Sequence, residues 1–491
     1  MHFAEWKSVV RQNSALIVLL LIFIGSRIVY FLLGVRFDDS LLLWSPHYID
    51  RQLLISDFGR SIFYLHSQPP IMNLFLGIVL HLFPNYETNI FWFCYLLLGL
   101  TLMLSFYLLL KNLGVVTPLT VIFPALFIIS PGAILYENWL FYSYPVCTAL
   151  TFSALICLKF FKSPRLVYSL LLFFSLGIVA LMWSFFHLLW LVAGVAILLT
   201  LRPQEWKRIV LGFTIPFILV LGWYVKNAIL FGEFTASTWF GMNFSRITTC
   251  MLSLEERKQL NTNGIISVFS TLTAFGDLDQ YQPYLKPVPL TGIPVLDQKR
   301  KASGFPNLNN IAYIYIFRER AKDAFRVITL KPNAYFRGII RAVLIFFTPA
   351  DDYLYFGKNR TKIETFARVF NTIFAGQFNR YINPKFRVTK PVLHYLLVMA
   401  HTGLFIIIGY GGAFIAGILL LRSHHANFVS QTLIFIWMTL LYGFLVGTLT
   451  EVGENNRFRF VFDPLMLAFV GTIIRPDSGF FLDQRKKQGI S

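Results

Sequence analysis

Acidic residues that could act as a catalytic base stand in two short polar segments. Asp38 and Asp39 follow directly on an apolar run, Asp50 and Asp57 come shortly afterwards, and Glu137 stands in a second segment. A carboxylate beside apolar surface loses hydration, which raises its pKa and lets it accept a proton near neutral pH. The same side chains could instead solvate a loop or stabilise a helix end. The residue types alone leave both roles open.

Basic residues that could bind an anion are concentrated near residue 457. Arg457 and Arg459 are two residues apart and closely follow Glu454, which we assign to the same binding site. A planar guanidinium group can bind phosphate through paired hydrogen bonds, so we predict a phosphate site here. The alternative is contact with lipid headgroups, or ion pairs with Glu451 or Glu454. Lys226 is a weaker candidate of the same kind.

One histidine, His187, stands near the outer end of the apolar run 184–201. Polar side chains in membrane helices tend to face the protein interior or a water-filled cavity, so this residue is a candidate for ligand binding. A structural histidine that is fixed by hydrogen bonds is the alternative.

The elements that must position these residues are apolar helices. Of the 491 residues, 56% are hydrophobic and only 14% are charged. Apolar runs recur at close to the length that crosses a bilayer, so we predict an all-α polytopic membrane protein with about 10–12 transmembrane helices. The clearest spans are 15–35, 89–110, 118–135, 141–161, 166–182, 184–201, 208–226, 392–421, 430–449 and 457–474. The net charge of +19 fits basic cytoplasmic loops, and we predict no nucleic-acid partner.

The basic loops predict the orientation of the chain. Lys and Arg cluster after residues 110, 158, 201, 421 and 484, which places those loops in the cytoplasm. Residues 69–84, which begin with two prolines, are then predicted to form an interfacial or re-entrant helix, with a short true span as the alternative. The outer segments become 36–88, 136–140, 227–391 and 450–456, and together with Asp463, in the first turns of the last helix, they hold 20 of the 24 acidic residues.

We predict a single membrane-embedded domain over residues 1–491. Its parts are a first outer loop with interfacial helices over 36–88, a large extracytoplasmic region over 227–391, and C-terminal transmembrane helices over 392–491. The first apolar run is long for a signal peptide and is expected to remain as the first helix. Amphipathic stretches within 227–391 are expected to lie along the membrane surface.

The motifs that the sequence lacks count against active transport. It contains no Walker loop, no G-x-G-x-x-G after a strand, no H-E-x-x-H and no C-x-x-C. No predicted span carries an acidic residue well inside the bilayer, where ion-coupled transporters usually need one.

Several segments together resemble a known family. They are 66–70 (HSQPP), 137–142 (ENWLFY), 222–227 (GWYVKN), 231–232 (FG), 237–243 (STWFGMN), 457–459 (RFR) and 463–464 (DP). In this order the chain resembles the polytopic GT-C glycosyltransferases. The likeness is to the bacterial, family 39-like relatives of the dolichyl-phosphate-mannose protein mannosyltransferases, with the aminoarabinose transferase as a more distant relative.

The resemblance implies a GT-C fold and a sugar donor linked to a polyprenyl phosphate. The catalytic base of the family is an acid just after the first helix, which maps to Asp38, with Asp39 next. His66 and Gln68 fall in the segment that approaches the donor. Gln68 stands where some members have a phosphate-binding lysine, so Arg457, Arg459 or Lys226 would have to supply the charge.

The expected reaction moves one sugar, with inversion, to a lipid, glycan or protein acceptor on the non-cytoplasmic face. No cofactor is expected, and no divalent metal is required. The partners would be membrane lipid, the donor and an acceptor, and the protein would be a monomer or homodimer. A bacterial inner membrane, with the site facing the periplasm or exterior, is the expected location. The alternatives are a flippase or transporter for lipid-linked saccharides and a non-catalytic subunit of an envelope assembly.

Overall fold

The computed structural model describes residues 2–377, 402–422 and 427–474 of the chain. These residues are mostly helical, and β structure among them is limited to two isolated bridges, Asp38–Trp139 and Arg300–Pro306. The prediction of an all-α protein is therefore confirmed.

In the described part of the chain, six helices are long and apolar enough to cross a membrane: Ser14–Leu32 (within His2–Leu32), Glu87–Leu113, Ser143–Lys162, Pro203–Phe231, Leu404–Leu421 and Phe428–Thr450. A bent pair, Thr117–Ile129 and Pro131–Glu137, adds a seventh if it counts as one span. Four shorter apolar helices are Pro70–Leu82, Leu166–Met182, Leu188–Leu201 and Asp463–Ile473. A polytopic membrane protein is confirmed. The predicted number of about 10–12 transmembrane helices is reached only if the bent pair and the shorter apolar helices also cross the membrane.

Two predicted spans are broken where the sequence analysis expected continuous helices. The span 118–135 bends by 57° between Thr117–Ile129 and Pro131–Glu137. The Ser130 side chain accepts a hydrogen bond from the Ala133 N–H and so starts a new helix, in which Pro131 takes a first-turn position that needs no N–H donor.

The span 457–474 likewise divides into Asn455–Phe460 and Asp463–Ile473, with a proline in the first turn of the second helix. The predicted span 184–201 starts as a helix only at Leu188. Of 392–421, residues 392–401 lie outside the described residues, and the helix is described from Leu404.

Helix Ser143–Lys162 lies at the centre of the membrane-spanning bundle. Most of its residues are buried, and it packs against Glu87–Leu113, Leu166–Met182 and Phe428–Thr450. Ser14–Leu32, in contrast, leaves most of its apolar surface exposed, as a helix at the edge of a bundle does in lipid. The outer end of the central helix is therefore held by neighbours on several sides.

The first and the large outer segments are built from α-helices of 4 to 19 residues. The first segment contains Leu41–Trp44, Arg51–Ser56 and Phe58–Phe63, followed by Pro70–Leu82. The large segment contains Phe240–Ile247, Leu254–Thr262, Leu278–Tyr281, Pro294–Asp297, Ala312–Leu330, Pro332–Phe346, Gly357–Lys362 and Glu364–Phe370. Whether Pro70–Leu82 crosses the membrane or lies at its surface stays a prediction.

The large outer segment has its own packed interior, which we call the outer cap (residues 239–346). Helix Phe240–Ile247 lies against helix Ala312–Leu330 so closely that a side chain at Gly241 would collide with the Phe317 carbonyl oxygen. Arg320 is fully buried between them and donates hydrogen bonds to Ser245 Oγ and the Phe269 carbonyl oxygen. Such satisfied buried contacts fix the direction of helix Phe240–Ile247.

Candidate functional site

A polar cavity of about 290 Å³ lies where the outer cap meets the outer ends of the membrane helices. We call it the outer cavity, and it is lined by Pro46, His47, Gln68, Tyr142, Trp183, Ser184, Trp239, Asn243, Arg246, Ala274, Phe275, Tyr355, Glu451, Glu454 and Arg457. These residues come from three of the four outer segments, from the outer ends of two further helices and from the turn after helix Leu166–Met182. The cavity therefore depends on the tertiary fold rather than on one local motif.

Arg457 is fixed in the wall of the outer cavity by helix Asn455–Phe460. Its Nε and Nη2 lie 2.8 and 2.6 Å from Glu454 Oε2, and its Nη1 donates to Ser143 Oγ at 3.3 Å. Its guanidinium carbon is 4.9 to 5.8 Å from the centres of five aromatic rings, those of Phe141, Tyr142, Trp183, Tyr353 and Phe458. Aromatic faces attract a cation, so the buried charge is stabilised in one position.

A second ion pair, Arg246 with Glu451, lines the same cavity at an N–O distance of 3.1 Å. The loop that carries Glu451 turns at Gly453, whose φ of +125° favours glycine, and a side chain there would collide with the Arg246 guanidinium. The loop therefore packs directly against the guanidinium group of Arg246.

The two glutamates of the outer cavity have opposite electrostatic environments. Burial raises the pKa of Glu451 to about 7, although the charge of Arg246 opposes this shift. Burial also acts on Glu454, but Arg457 and Arg246 outweigh it and hold its pKa at about 2. Two arginines thus face one permanent carboxylate and one that takes up a proton near neutral pH.

His47 and Trp239 form an uncharged part of the cavity wall. Their rings pack at a centroid distance of 4.9 Å, and burial lowers the pKa of His47 to about 3, so the imidazole is neutral. His47 Nδ1 and Trp239 Nε1 are both buried and have no hydrogen-bond partner among the described residues. Gln68, a neighbour of His47, completes this side of the cavity.

Asp38 and Asp39 do not line the outer cavity. The Asp38 backbone pairs with Asn138 and Leu140 on either side of Trp139, and its Oδ1 accepts from the Ser40 N–H at 3.0 Å. Asp39 accepts a short hydrogen bond from the Thr88 hydroxyl. Both carboxylates are half-buried.

Glu137 lies in a different environment from the one expected for a surface turn. It is 4% exposed, and its two oxygens accept from Nε and Nη2 of Arg27 at 2.9 and 2.5 Å. The Tyr144 hydroxyl donates to it at 2.6 Å, and Gly99 leaves the space that the carboxylate fills. This pair lines a separate cavity of about 340 Å³. With both oxygens engaged, the geometry favours a structural role for Glu137.

Four other predicted binding residues also face away from the outer cavity. Arg459 is buried and bonds to Asp463 and to two carbonyl oxygens. Lys226 donates to the Leu65 carbonyl oxygen at 2.6 Å. His66 is buried between Thr238 Oγ1 and the Asn309 carbonyl oxygen, and burial lowers its pKa to about 3. His187 is exposed at the start of helix Leu188–Leu201.

The structure thus brings three predicted site residues together, namely Gln68, Glu454 and Arg457. It adds His47, Trp239, Asn243, Arg246 and Glu451, which the sequence analysis did not assign to the site. Asn243 and Arg246 are three residues apart on one helix, a spacing that places both on the same face and could have drawn attention to them.

A metal centre has no support in the geometry of the described residues. No group of three or more His, Cys, Asp or Glu side chains in residues 2–377, 402–422 and 427–474 is placed to hold a metal ion. The four cysteines, Cys94, Cys147, Cys157 and Cys250, are free. Whether the reaction proceeds without a metal stays a prediction.

Comparisons with known proteins give a distant structural likeness. No protein-family model and no curated protein sequence matches the chain. Two crystal structures of the Archaeoglobus fulgidus oligosaccharyltransferase are similar at 12% identity. The one tethered to an acceptor peptide with the NVT sequon gives a TM-score of 0.36 over 94% of this chain and 50% of that chain. The complex with Zn and sulfate gives 0.34 over 96% and 50%.

The chain therefore spans about half the length of the archaeal oligosaccharyltransferase that it matches. At these TM-scores and this identity, the likeness alone establishes neither a shared fold nor a shared activity.

Proposed function

We propose that this protein is a GT-C glycosyltransferase, related to the bacterial family 39-like enzymes, that transfers one sugar from a polyprenyl phosphate. One observation carries the proposal. Segments 66–70, 137–142, 237–243 and 457–459, which are far apart in the sequence, each contribute a residue to the outer cavity. They are four of the seven segments on which the family resemblance depends. A likeness by chance gives no reason for these segments to meet around one polar cavity.

The donor phosphate would bind at the arginines of the outer cavity. Arg457 and Arg246 are each paired with a glutamate, so an incoming phosphate competes with carboxylates for the same N–H donors. Glu451 is the partner that yields more easily, since a proton near neutral pH neutralises it. Arg246 is then free to bind the phosphate, and its charge stabilises the leaving group.

The reaction would be a single displacement at the anomeric carbon. The acceptor hydroxyl oxygen forms the new bond, the carbon–oxygen bond to phosphate breaks, and the phosphate leaves with that electron pair. A carboxylate takes the hydroxyl proton. Asp38 remains our first choice for this base and Asp39 the second. The Asp38 backbone is hydrogen-bonded to Asn138, and Tyr142, which lines the outer cavity, comes only four residues after Asn138.

The test is release of polyprenyl phosphate from radiolabelled polyprenyl-phosphate hexoses and aminopentose. The protein is reconstituted in nanodiscs, and total envelope lipids and glycans serve as acceptors. Asp38→Asn should abolish release while the protein still inserts and keeps its Tm, because the base is lost and the shape is kept. Asp57→Asn, which changes an acid of the same loop paired only at 3.6 Å with Arg60, is the matched control.

The other outcomes reassign the base or remove the proposal. If only Asp39→Asn loses activity, then Asp39 is the base instead of Asp38. Loss in Glu451→Gln alone, with Asp38→Asn fully active, places it inside the outer cavity. No release by the wild-type protein from any donor, with a properly folded sample, contradicts a polyprenyl-phosphate transferase.

The setting that we propose is a bacterial inner membrane with the outer cavity on the periplasmic or exterior side. Membrane lipid surrounds the bundle, and a polyprenyl chain would lie in the bilayer while its phosphosugar reaches the cavity. The acceptor would approach from the aqueous side, and the active unit would be a monomer or homodimer. The reaction would need no metal or cofactor.

A further inference from the structure

The uncharged side of the outer cavity contains two polar atoms for which the protein supplies no partner. Trp239 is 4% exposed, and its indole N–H has no acceptor among the described residues. His47 Nδ1, in the adjacent ring, is buried and equally unpartnered. A buried polar group without a partner destabilises the protein, and a ligand with matching groups recovers the lost hydrogen bond. Because both atoms also belong to residues that line the outer cavity, they indicate a ligand rather than a packed interior.

The two segments that carry these rings are both hydrogen-bonded to residues near the start of helix Pro70–Leu82. Ser237, two residues before Trp239, donates from its hydroxyl to the Ser67 carbonyl oxygen. The His47 carbonyl oxygen accepts from Asn73 Nδ2 at 3.2 Å, and the His47 ring meets the Phe141 ring edge-on at 5.0 Å. The two unpartnered atoms are thus held in place before any ligand arrives, which lowers the entropy cost of binding.

The groups beside these rings define the chemistry of the ligand. Gln68, Asn243 and Ser184 also line the cavity, and each can donate and accept a hydrogen bond without carrying charge. His47 is neutral, as described above. An indole with several neutral donors and acceptors around it suits a ring that carries many hydroxyl groups. The charged residues that line the same cavity suit an attached phosphate.

The geometry points to a monosaccharide-binding subsite in which Trp239 donates its indole N–H to a sugar hydroxyl and His47 Nδ1 bonds to a neighbouring one. This inference rests on the proposed function for the phosphate that accompanies the sugar. A cavity of about 290 Å³ is at the small end for ligand sites, so it suits one sugar ring with its phosphate and not an oligosaccharide.

The experiment measures binding to the nanodisc-embedded protein by calorimetry with three probes. They are short isoprenyl phosphates that carry mannose, glucose or galactose, the same isoprenyl phosphate without a sugar, and the methyl glycosides of these hexoses. Trp239→Phe keeps an aromatic ring at this position and removes the N–H, so affinity for the preferred sugar-bearing probe should fall about 3- to 10-fold. Affinity for the sugar-free probe should not change.

Trp139→Phe is the matched control, because the Trp139 N–H is also buried without a partner but does not line the outer cavity. It should leave all affinities unchanged. His47→Phe removes the second unpartnered atom. It should lower the affinity for the sugar-bearing probe in the same way as Trp239→Phe.

Each remaining outcome contradicts one proposal or both. If Trp239→Phe loses the same affinity for the probes with and without sugar, or loses none, the sugar subsite is overturned. The proposal that the cavity binds the donor phosphate is not affected by either result. Methyl glycosides that bind through Trp239 while no isoprenyl phosphate binds support the subsite and overturn the proposed donor. A wild-type protein that binds none of the probes overturns both.

Discussion

The charges of the outer cavity are balanced residue by residue. Arg457 has a permanent partner in Glu454, whose pKa is held at about 2, whereas Arg246 faces Glu451, whose pKa burial raises to about 7. The cavity is therefore neutral when Glu451 is ionised and carries one positive charge when it is protonated. An anionic ligand favours the second state.

The titration of Glu451 has a consequence for stability. Its folded pKa is above the value of 4.5 for an unperturbed glutamate, so the protonated folded state is stabilised fully below pH 4.5. This contribution is lost as the pH rises towards 7. Glu451→Gln mimics the protonated form, so its Tm should match wild type at pH 5 and exceed it by a few degrees at pH 8.

Thermal unfolding in nanodiscs between pH 5 and pH 8 measures this difference, with Glu454→Gln as the contrasting variant. Because Glu454 is ionised throughout this range, its replacement should lower the Tm by a similar amount at every pH. Parallel curves for wild type and Glu451→Gln would show that Glu451 does not titrate there.

Sequence reasoning predicted phosphate binding for Arg457 and Arg459 alike, but of the two only Arg457 lines the outer cavity. Two residues on a helix differ in direction by about 200°, so both cannot face one ligand. Arg459 turns instead to Asp463 and the carbonyl oxygens of Phe346 and Thr348. The helical state of this short segment had to be known before its two arginines could be distinguished.

At the level of elements, helix Phe240–Ile247 connects the outer cap to the cavity. Trp239, Asn243 and Arg246 all depend on its position, and Gly241 permits its close approach to helix Ala312–Leu330. Gly241→Ala should therefore move the helix and lower stability by about 1–3 kcal/mol, the usual cost of overpacking. Binding of sugar-bearing isoprenyl phosphate should weaken in the same variant.

Gly222→Ala is the control for this change, since nothing lies within 4 Å of the added methyl group. Alanine is the better helix former, so the Tm should stay the same or rise slightly. A Gly241→Ala protein with unchanged Tm and unchanged ligand affinity would contradict the role given to this helix contact.

The elements that the sequence predicted well are the uninterrupted apolar helices, because a run of that length has few other stable states in lipid. The break at Ser130 and Pro131 was missed although its signal, a capping serine before a first-turn proline, is in the sequence. Apolar residues on both sides of the break obscured it. The pairing of the cap helices depends on distant backbone contacts such as that of Gly241, which periodicity does not encode.

For the whole molecule, the orientation in the membrane is the prediction on which the proposed function depends. Cysteines introduced at Lys258, an exposed cap residue, and at Lys207, an exposed residue of a basic loop, report the two sides. In intact cells a membrane-impermeant maleimide should label Lys258→Cys, whereas Lys207→Cys should need permeabilised cells. Both are made in a Cys250→Ser background, with that background alone as the control.

Labelling of Lys207→Cys but not of Lys258→Cys in intact cells would reverse the topology and place the outer cavity in the cytoplasm. Labelling of both would mean that the first crossing or one of the short helices is wrongly assigned.

The buried pair of Arg27 and Glu137 also bears on the biosynthesis of the protein. Its partners are 110 residues apart in the chain. At a translation rate of about 5–20 residues per second, the first helix waits roughly 5–20 seconds for its counter-ion to be made. During that interval the guanidinium must be accommodated by lipid headgroups or water at the outer surface, or by the insertion machinery. The pair thus sets an order of assembly, because the first helix reaches its final place only after the bent span has entered the membrane.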